Sequence, residues 1–129
     1  MTPVSPQDIP ACWEFVENGL REVIRRTGEK WTPTHVLEAL NYGRAHLFID
    51  DDGFVVLQQA REDWTGTPLV HVWAMWFKPG TARAKESGLR EWLDDITQKR
   101  VRMSSTREGW GRMLGPDWEV ERIIYRRRK

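Results

Sequence analysis

The sequence predicts a mixed α/β (α+β) fold, a mostly antiparallel central sheet with helices on both faces, in the order α-α-β-β-β-α-β-α-β. Three observations carry this expectation. Residues 69–77 are apolar on both alternating faces apart from His71, the pattern of a strand covered on both sides and therefore central in its sheet. Downstream, Leu89, Trp92, Leu93 and Ile96 recur at i, i+3, i+4 and i+7, which makes residues 82–98 an amphipathic helix crossing over to a parallel neighbour. Upstream, apolar residues 45–49 and 54–59 flank Asp50-Asp51-Asp52-Gly53, which reads as a β-hairpin with a tight Asp-Gly turn.

The remaining elements follow from local signals. Asp8 can cap a first helix, with Pro10 in its permissive first turn. Trp13, Val16, Leu20, Val23 and Ile24 fall on one face of that helix, and Gly28 ends it. Thr32-Pro33 starts a second helix with a hydroxyl cap followed by proline at the first helical position. Val36, Leu37 and Leu40 form its apolar side, and Gly43 stops it. Residues 61–68 are a polar loop. Residues 101–103 form a short strand. Ser105 and Glu108 fit a capping box for a helix through Leu114, closed by Gly115. The alternation of residues 118–126 suits a terminal strand.

Composition narrows the function classes. A chain of 129 residues is expected to form one domain, residues 1–129, with a core that needs no covalent staple. Net charge is +1, which gives no general reason to expect nucleic acid, and the basic run Arg126, Arg127, Arg128, Lys129 reads as a solvated end. Cys12 is the single cysteine, so an intramolecular disulfide is excluded and a reducing, cytoplasmic setting is expected. No apolar run approaches the ~20 residues that span a membrane, and the first residues lack signal-peptide character. The eight tryptophans are spread over nearly every element, which predicts a core filled with large rings, Trp73 and Trp92 among them, in preference to an aromatic cage.

Several chemistries lack their residues. No Gly-x-Ser-x-Gly elbow, Walker loop or dinucleotide fingerprint occurs. The acidic triplet lacks the alternating oxygens and late glutamate of a calcium loop. His35, His46 and His71 are too dispersed for a metal site, so none is expected. Cys12 reads as a small packing residue, not a nucleophile.

Two segments carry a family resemblance: HVWAMWFKPG followed by TARAKESGLREWL, and VRMSSTREGWGRMLGPDWEVERIIYRR. In element order, from Ile9 to Arg126, the chain resembles the GNAT superfamily of N-acetyltransferases. Its compactness and the missing first strand are similar to small GNAT-like proteins encoded by bacteriophages. The resemblance implies a central strand that splays from its neighbour at its C-terminal end. The pantetheine arm of acetyl-CoA, or another acyl-CoA, would pair there with Trp76, Phe77 and Lys78. Its pyrophosphate would rest on Gly80, Thr81, Ala82 and Arg83 at the start of the next helix. The loop departs from the family's glycine pattern: it reads Pro79-Gly80-Thr81-Ala82-Arg83-Ala84, with Lys78, Arg83 and Lys85 to supply charge. The other reading of this loop is a plain strand-to-helix turn with a Thr81 cap.

Acyl transfer to an amine needs a base for the amine and an acid for the leaving thiolate. His71 is the candidate base; its other reading is a core histidine bonded to a backbone carbonyl. Tyr125, on the last strand, is the candidate acid, because residues 106–114 hold Trp110 where many relatives hold a tyrosine. Tyr42, Glu62 and Asp63 are further candidates on the acceptor side, each also readable as packing or solvated residues. Two functions are therefore expected. One is an acyl-CoA-dependent N-acyltransferase acting on a small-molecule or protein amine. The other is a catalytically inactive GNAT-like binding or structural protein, as a homo-oligomer or a component of a bacteriophage virion.

Overall fold

The computed structural model describes residues 1–81, 88, 91, 92, 95 and 100–103. Among these residues five strands form one sheet in the order β1 (Thr2–Val4), β2 (Ala45–Ile49), β3 (Gly53–Arg61), β4 (Pro68–Phe77) and β5 (Arg100–Met103). The first four are antiparallel neighbours and β5 joins β4 in parallel. β4 thus lies inside the sheet, as its two-sided apolar pattern requires. β1 corrects the expectation of a missing first strand: Thr2, Pro3 and Val4 pair with Ile49, Phe48 and Leu47. Three residues with a central proline are too short to display alternation.

Two helices, α1 (Ile9–Thr27) and α2 (Pro33–Asn41), cover one face. Asp8 sits at the N-cap of α1 but its side chain makes no capping bond. Its carboxylate instead accepts the Ser5 hydroxyl at 2.9 Å, and the 3-10 turn Pro6–Asp8 leads the chain in. Gly28, at φ +71°, closes α1 by donating its N–H to the Ile24 carbonyl at 2.8 Å. α2 begins as the Thr32-Pro33 signal implies. The Thr32 hydroxyl accepts the His35 N–H, and His35 Nδ1 accepts the Thr32 N–H at 2.9 Å, a reciprocal cap that engages two donors the helix cannot use. The exit of α2 is a Schellman motif: the N–H groups of Gly43 and Arg44 reach the carbonyls of Leu40 and Ala39.

The core has two parts divided by the sheet. Under α1 and α2 lie Ile9, Val16, Leu20, Val36, Leu40, Leu47, Phe54 and Val56, all buried. On the other face Val55, Leu57 and Val72 are buried, with Phe48, Met75, Phe77 and Trp92 packed around them. Helical residues Gly88, Glu91, Trp92 and Asp95 belong to the expected crossover helix, and Trp92 meets Phe48 edge-to-face at 4.9 Å. The tryptophans correct the expectation of a ring-filled core. Trp13, Trp31, Trp73, Trp76 and Trp92 are half-buried and Trp64 is 97% exposed. Among the described residues the largest fully buried side chains are aliphatic, plus Phe54. An indole is too large to enclose completely in a domain of this size, and its N–H keeps it near polar partners.

The first hairpin also differs from the expected Asp-Gly turn. Gly53 is the first residue of β3 and is not among the positive-φ glycines. Asp50 makes the turn: its carboxylate accepts the N–H groups of Asp52 at 2.8 Å and Gly53 at 2.9 Å. Gly53 is needed for a different reason, since a Cβ there would collide with the Trp76 carbonyl and the Phe77 backbone. Gly53→Ala should therefore lower unfolding free energy by about 1–3 kcal/mol, the scale of overpacking. Gly88→Ala, where a Cβ meets open space, should not. Urea denaturation of both variants checks this; equal stability of the two would contradict the close approach.

Candidate functional site

The site is built on an irregularity in β4. β3 and β4 pair from Gly53↔Phe77 to Arg61↔Pro68, with a register shift between Val56 and Leu57. Val56 faces Ala74 and Leu57 faces Val72, which leaves Trp73 as an extra residue. Such a bulge bends the strand and turns two consecutive side chains to one face. Trp73 and Ala74 both pack in the cluster beneath α1 and α2, whereas Val70, Val72, Met75 and Phe77 pack on the opposite face. Parallel pairing with β5 runs from Leu69↔Arg100 to Val72↔Met103. The described ladder thus ends one residue before the bulge.

Backbone direction beyond the bulge follows from the antiparallel register. The Lys78 N–H donates to the Asp52 carbonyl at 2.7 Å, and the Trp76 carbonyl lies against Gly53. Both residues therefore direct their backbone groups at β3. Alternation turns those of Met75 and Phe77 the other way, to the edge that β5 occupies lower down. Of the three residues expected to pair with a ligand arm, Phe77 presents its backbone to that edge and Trp76 and Lys78 do not. Met75 does, and sequence reasoning missed it. Counting back by two from Phe77 is the signal that would have found it.

The wall on the helix side is aromatic. Phe15 of α1 packs edge-to-face on Trp76 at 5.6 Å and on Phe54 at 6.3 Å, and Trp76 stacks on Phe54 at 6.0 Å. Gly19 lets α1 approach this group, since a Cβ there would meet the Phe54 ring and Trp76. The Trp76 indole N–H donates to Glu22 at 3.2 Å, and the Glu22 carboxylate also pairs with Arg25 and Arg26. Nearer the bulge, Trp31 from the α1–α2 connection meets Trp73 edge-to-face at 6.0 Å.

Residues 78–81 form the turn that leaves β4. Pro79 followed by Gly80 at φ +85° has the residue pattern of a type II turn. The Thr81 N–H and hydroxyl both donate to the Lys78 carbonyl, at 3.1 and 2.7 Å, so Thr81 is turned back on its own loop. Lys78 is exposed, with Nζ 5.9 Å from the centre of the Phe15 ring. Ala82, Arg83, Tyr125 and the elements expected over residues 106–114 and 118–126 lie outside the described residues.

The other candidates are dispersed. His71 is half-buried on β4, opposite Gln58 and Arg102. Val70 and Val72 pack on the far face, so His71 belongs to the helix face, two residues before Trp73. Glu62 and Asp63 lie in the β3–β4 loop, at the other end of β4 from Gly80, ~30 Å away at ~3.3 Å per residue. They do not converge with the turn after β4. Tyr42 is 74% exposed beneath the Arg44 guanidinium, at the C-terminal end of α2. Burial raises the Cys12 thiol pKa, and its Sγ is 3.6 Å from the Ile9 carbonyl. The thiol therefore stays protonated and packs as a small residue. Among the described residues no group of His, Cys, Asp or Glu could hold a metal ion, and no helix is long and apolar enough to cross a membrane.

Solved structures match this architecture over nearly the whole chain. A probable acetyltransferase aligns over 99% of this chain and 97% of its own, with TM-score 0.65 and 10% identity. An aminoglycoside acetyltransferase from an uncultured soil metagenomic sample, in complex with sisomicin, aligns over 98% and 93%, with TM-score 0.61 and 10% identity. The ribosomal-protein-alanine N-acetyltransferase of Brucella melitensis biovar Abortus 2308 aligns over 96% and 98%, with TM-score 0.54 and 16% identity. The fold is thus the GNAT-like acetyltransferase fold. No family model matches the sequence, and no curated protein is significantly similar to it.

Proposed function

We propose that the protein is an acyl-CoA-dependent N-acyltransferase acting on an amine. The observation that carries the reading is the bulged β4, whose described pairing with β5 stops at Val72 while Met75 and Phe77 direct backbone groups to the same edge. An extended amide-bearing arm fits that edge by adding hydrogen bonds of strand type. Acetyl-CoA has such an arm and supplies an activated thioester. Met75 and Phe77 would hold the arm, and Gly80, Ala82 and Arg83 the pyrophosphate. Thr81 contributes little in this arrangement, because its N–H and hydroxyl are spent on Lys78. His71, on the helix face beside Trp73, would take the amine proton. Tyr125 is the candidate to protonate the leaving thiolate.

The same Thr81 geometry favours a second reading, a catalytically inactive GNAT-like binding or structural protein, as a homo-oligomer or a component of a phage particle. A single titration separates the two. Calorimetry with acetyl-CoA and with CoA should show saturable binding. Arg83→Glu should weaken it by about 1–3 kcal/mol, the scale of a charge-assisted hydrogen bond. An absence of heat at millimolar ligand would remove the enzyme reading and leave the second. Equal binding by Arg83→Glu would put the pyrophosphate elsewhere.

A further inference from the structure

We infer that His35 makes the entrance of α2 a pH-sensitive clasp. Its neutral imidazole ties down Thr32, and with it the connection that seats Trp31 on β4; protonation releases both. The clasp is independent of any acyl-CoA chemistry. His35 Nδ1 accepts the Thr32 N–H at 2.9 Å and lies 3.3 Å from the Thr32 hydroxyl. The His35 N–H donates to that hydroxyl at 3.4 Å. A ring nitrogen that accepts a backbone N–H carries no proton, so the proton of the neutral ring is on Nε2. The position is the third of the helix, where a capping box ordinarily has Glu or Gln. Those side chains accept the N-cap N–H throughout the neutral range. A histidine does so only while neutral, and histidines ordinarily titrate at about pH 6.5. A protonated imidazole has two donors and no acceptor. At this position it would turn an N–H toward the Thr32 N–H and place positive charge at the positive end of the helix dipole.

The surrounding charges leave this pairing in place. His35 is exposed, and among the described residues Thr32 is its hydrogen-bond partner. Glu38 lies one turn further along α2, and Glu29 and Lys30 are in the connection. Among the described residues the ion pairs are on α1, where Glu17 meets Arg21 and Glu22 meets Arg25 and Arg26. Arg44 is at the far end of α2, over Tyr42. α2 packs on β2, whose His46 faces Leu57 on the opposite side of the sheet. His71 is on β4, two residues before Trp73. The change is confined to the helix entrance, because Val36, Ala39 and Leu40 are buried and keep the body of α2 docked. Trp31 directly precedes Thr32, is half-buried, and meets Trp73 edge-to-face at 6.0 Å. Trp73 is the bulge residue of β4. Loss of the cap in acid therefore loosens the contact between the α1–α2 connection and the bulge.

Nuclear magnetic resonance of the 15N-labelled protein between about pH 8 and about pH 5, on either side of the histidine range, tests the clasp. In the wild type the Thr32 amide and Trp31 indole resonances should move together as the His35 ring gains its proton, while the Trp64 indole stays in place. His35→Gln and His35→Glu each supply an acceptor that holds through this range, and both should keep the Thr32 and Trp31 resonances fixed. At about pH 5 the Thr32 amide should exchange with solvent about fivefold faster in the wild type than in His35→Gln, the size of one helix cap. At about pH 8 the two should match. The side chain is exposed, so neither substitution touches the core. His46 and His71 remain in both variants, so a shift caused by either would persist there. Wild-type resonances that do not move, or that move equally in both variants, would overturn the clasp. So would a moving Thr32 with a stationary Trp31, because the connection would then not follow the cap.

Discussion

Phe54→Ala is expected to lower unfolding free energy by about 3–5 kcal/mol, as large ring deletions do in packed cores. Phe54 is 0% exposed and lies on the helix face of β3. Its ring supports Phe15 and stacks with Trp76, and α1 approaches it at Gly19. Removing it leaves a cavity bounded by groups that cannot easily collapse: a helix held close by glycine on one side and a strand in ladder register on the other. Trp76 would also lose its platform, although Glu22 would keep its indole N–H. Chemical denaturation followed by tryptophan fluorescence measures both consequences. A loss under ~1 kcal/mol would mean that the α1–sheet interface is far more plastic than its packing implies.

Under the acyltransferase reading, His71→Gln should reduce acetyl transfer to an amine acceptor by about 10²- to 10⁴-fold, the usual contribution of a positioned general base. Acetyl-CoA affinity and unfolding free energy should change little. The argument is positional. β4 carries one titratable side chain within Pro68–Phe77, and it is on the face shared with Trp73. Two residues along a strand span ~6.6 Å, within reach of an amine held at the bulge, directly or through one water. Glutamine keeps hydrogen-bonding capacity but does not take a proton at neutral pH. The two readings of His71 give opposite results. A base shows as lost turnover at normal stability, and a core histidine as lost stability at normal turnover. The second outcome would end the catalytic assignment.

Much of the fold could be read from residues whose physics is local. Thr32-Pro33 and Gly43 bound α2 because a hydroxyl cap, a proline without an N–H and a left-handed glycine act within a few residues. β4 was legible as an internal strand because both faces are apolar. What was not legible depended on pairing. β1 exists through its register with β2. Gly53 looks like a turn residue until the nearness of Trp76 and Phe77 shows that it accommodates a neighbouring strand. The site follows the same division. His71 and Phe77 stand out in the sequence, but which backbone groups face which edge is a matter of register, so the sequence alone does not separate Trp76 and Lys78, which face β3, from Met75 and Phe77, which face the other edge. The bulge at Trp73 left no mark in the composition of β4, because two consecutive apolar residues on one face look like any other pair.

The outermost strand bears on how the molecule behaves at high concentration. β1 is three residues long and its middle residue, Pro3, has no N–H to offer. A second chain approaching that side meets a poor template for strand addition. Behind it lies β2, a longer run whose Leu47 is buried and whose Phe48 and Ile49 are partly so. If Thr2–Val4 detached, the main chain of β2 would be open to another molecule along five residues. A segment that adds only the half-buried Val4 to the core would then decide whether the protein stays dispersed or forms intermolecular sheets.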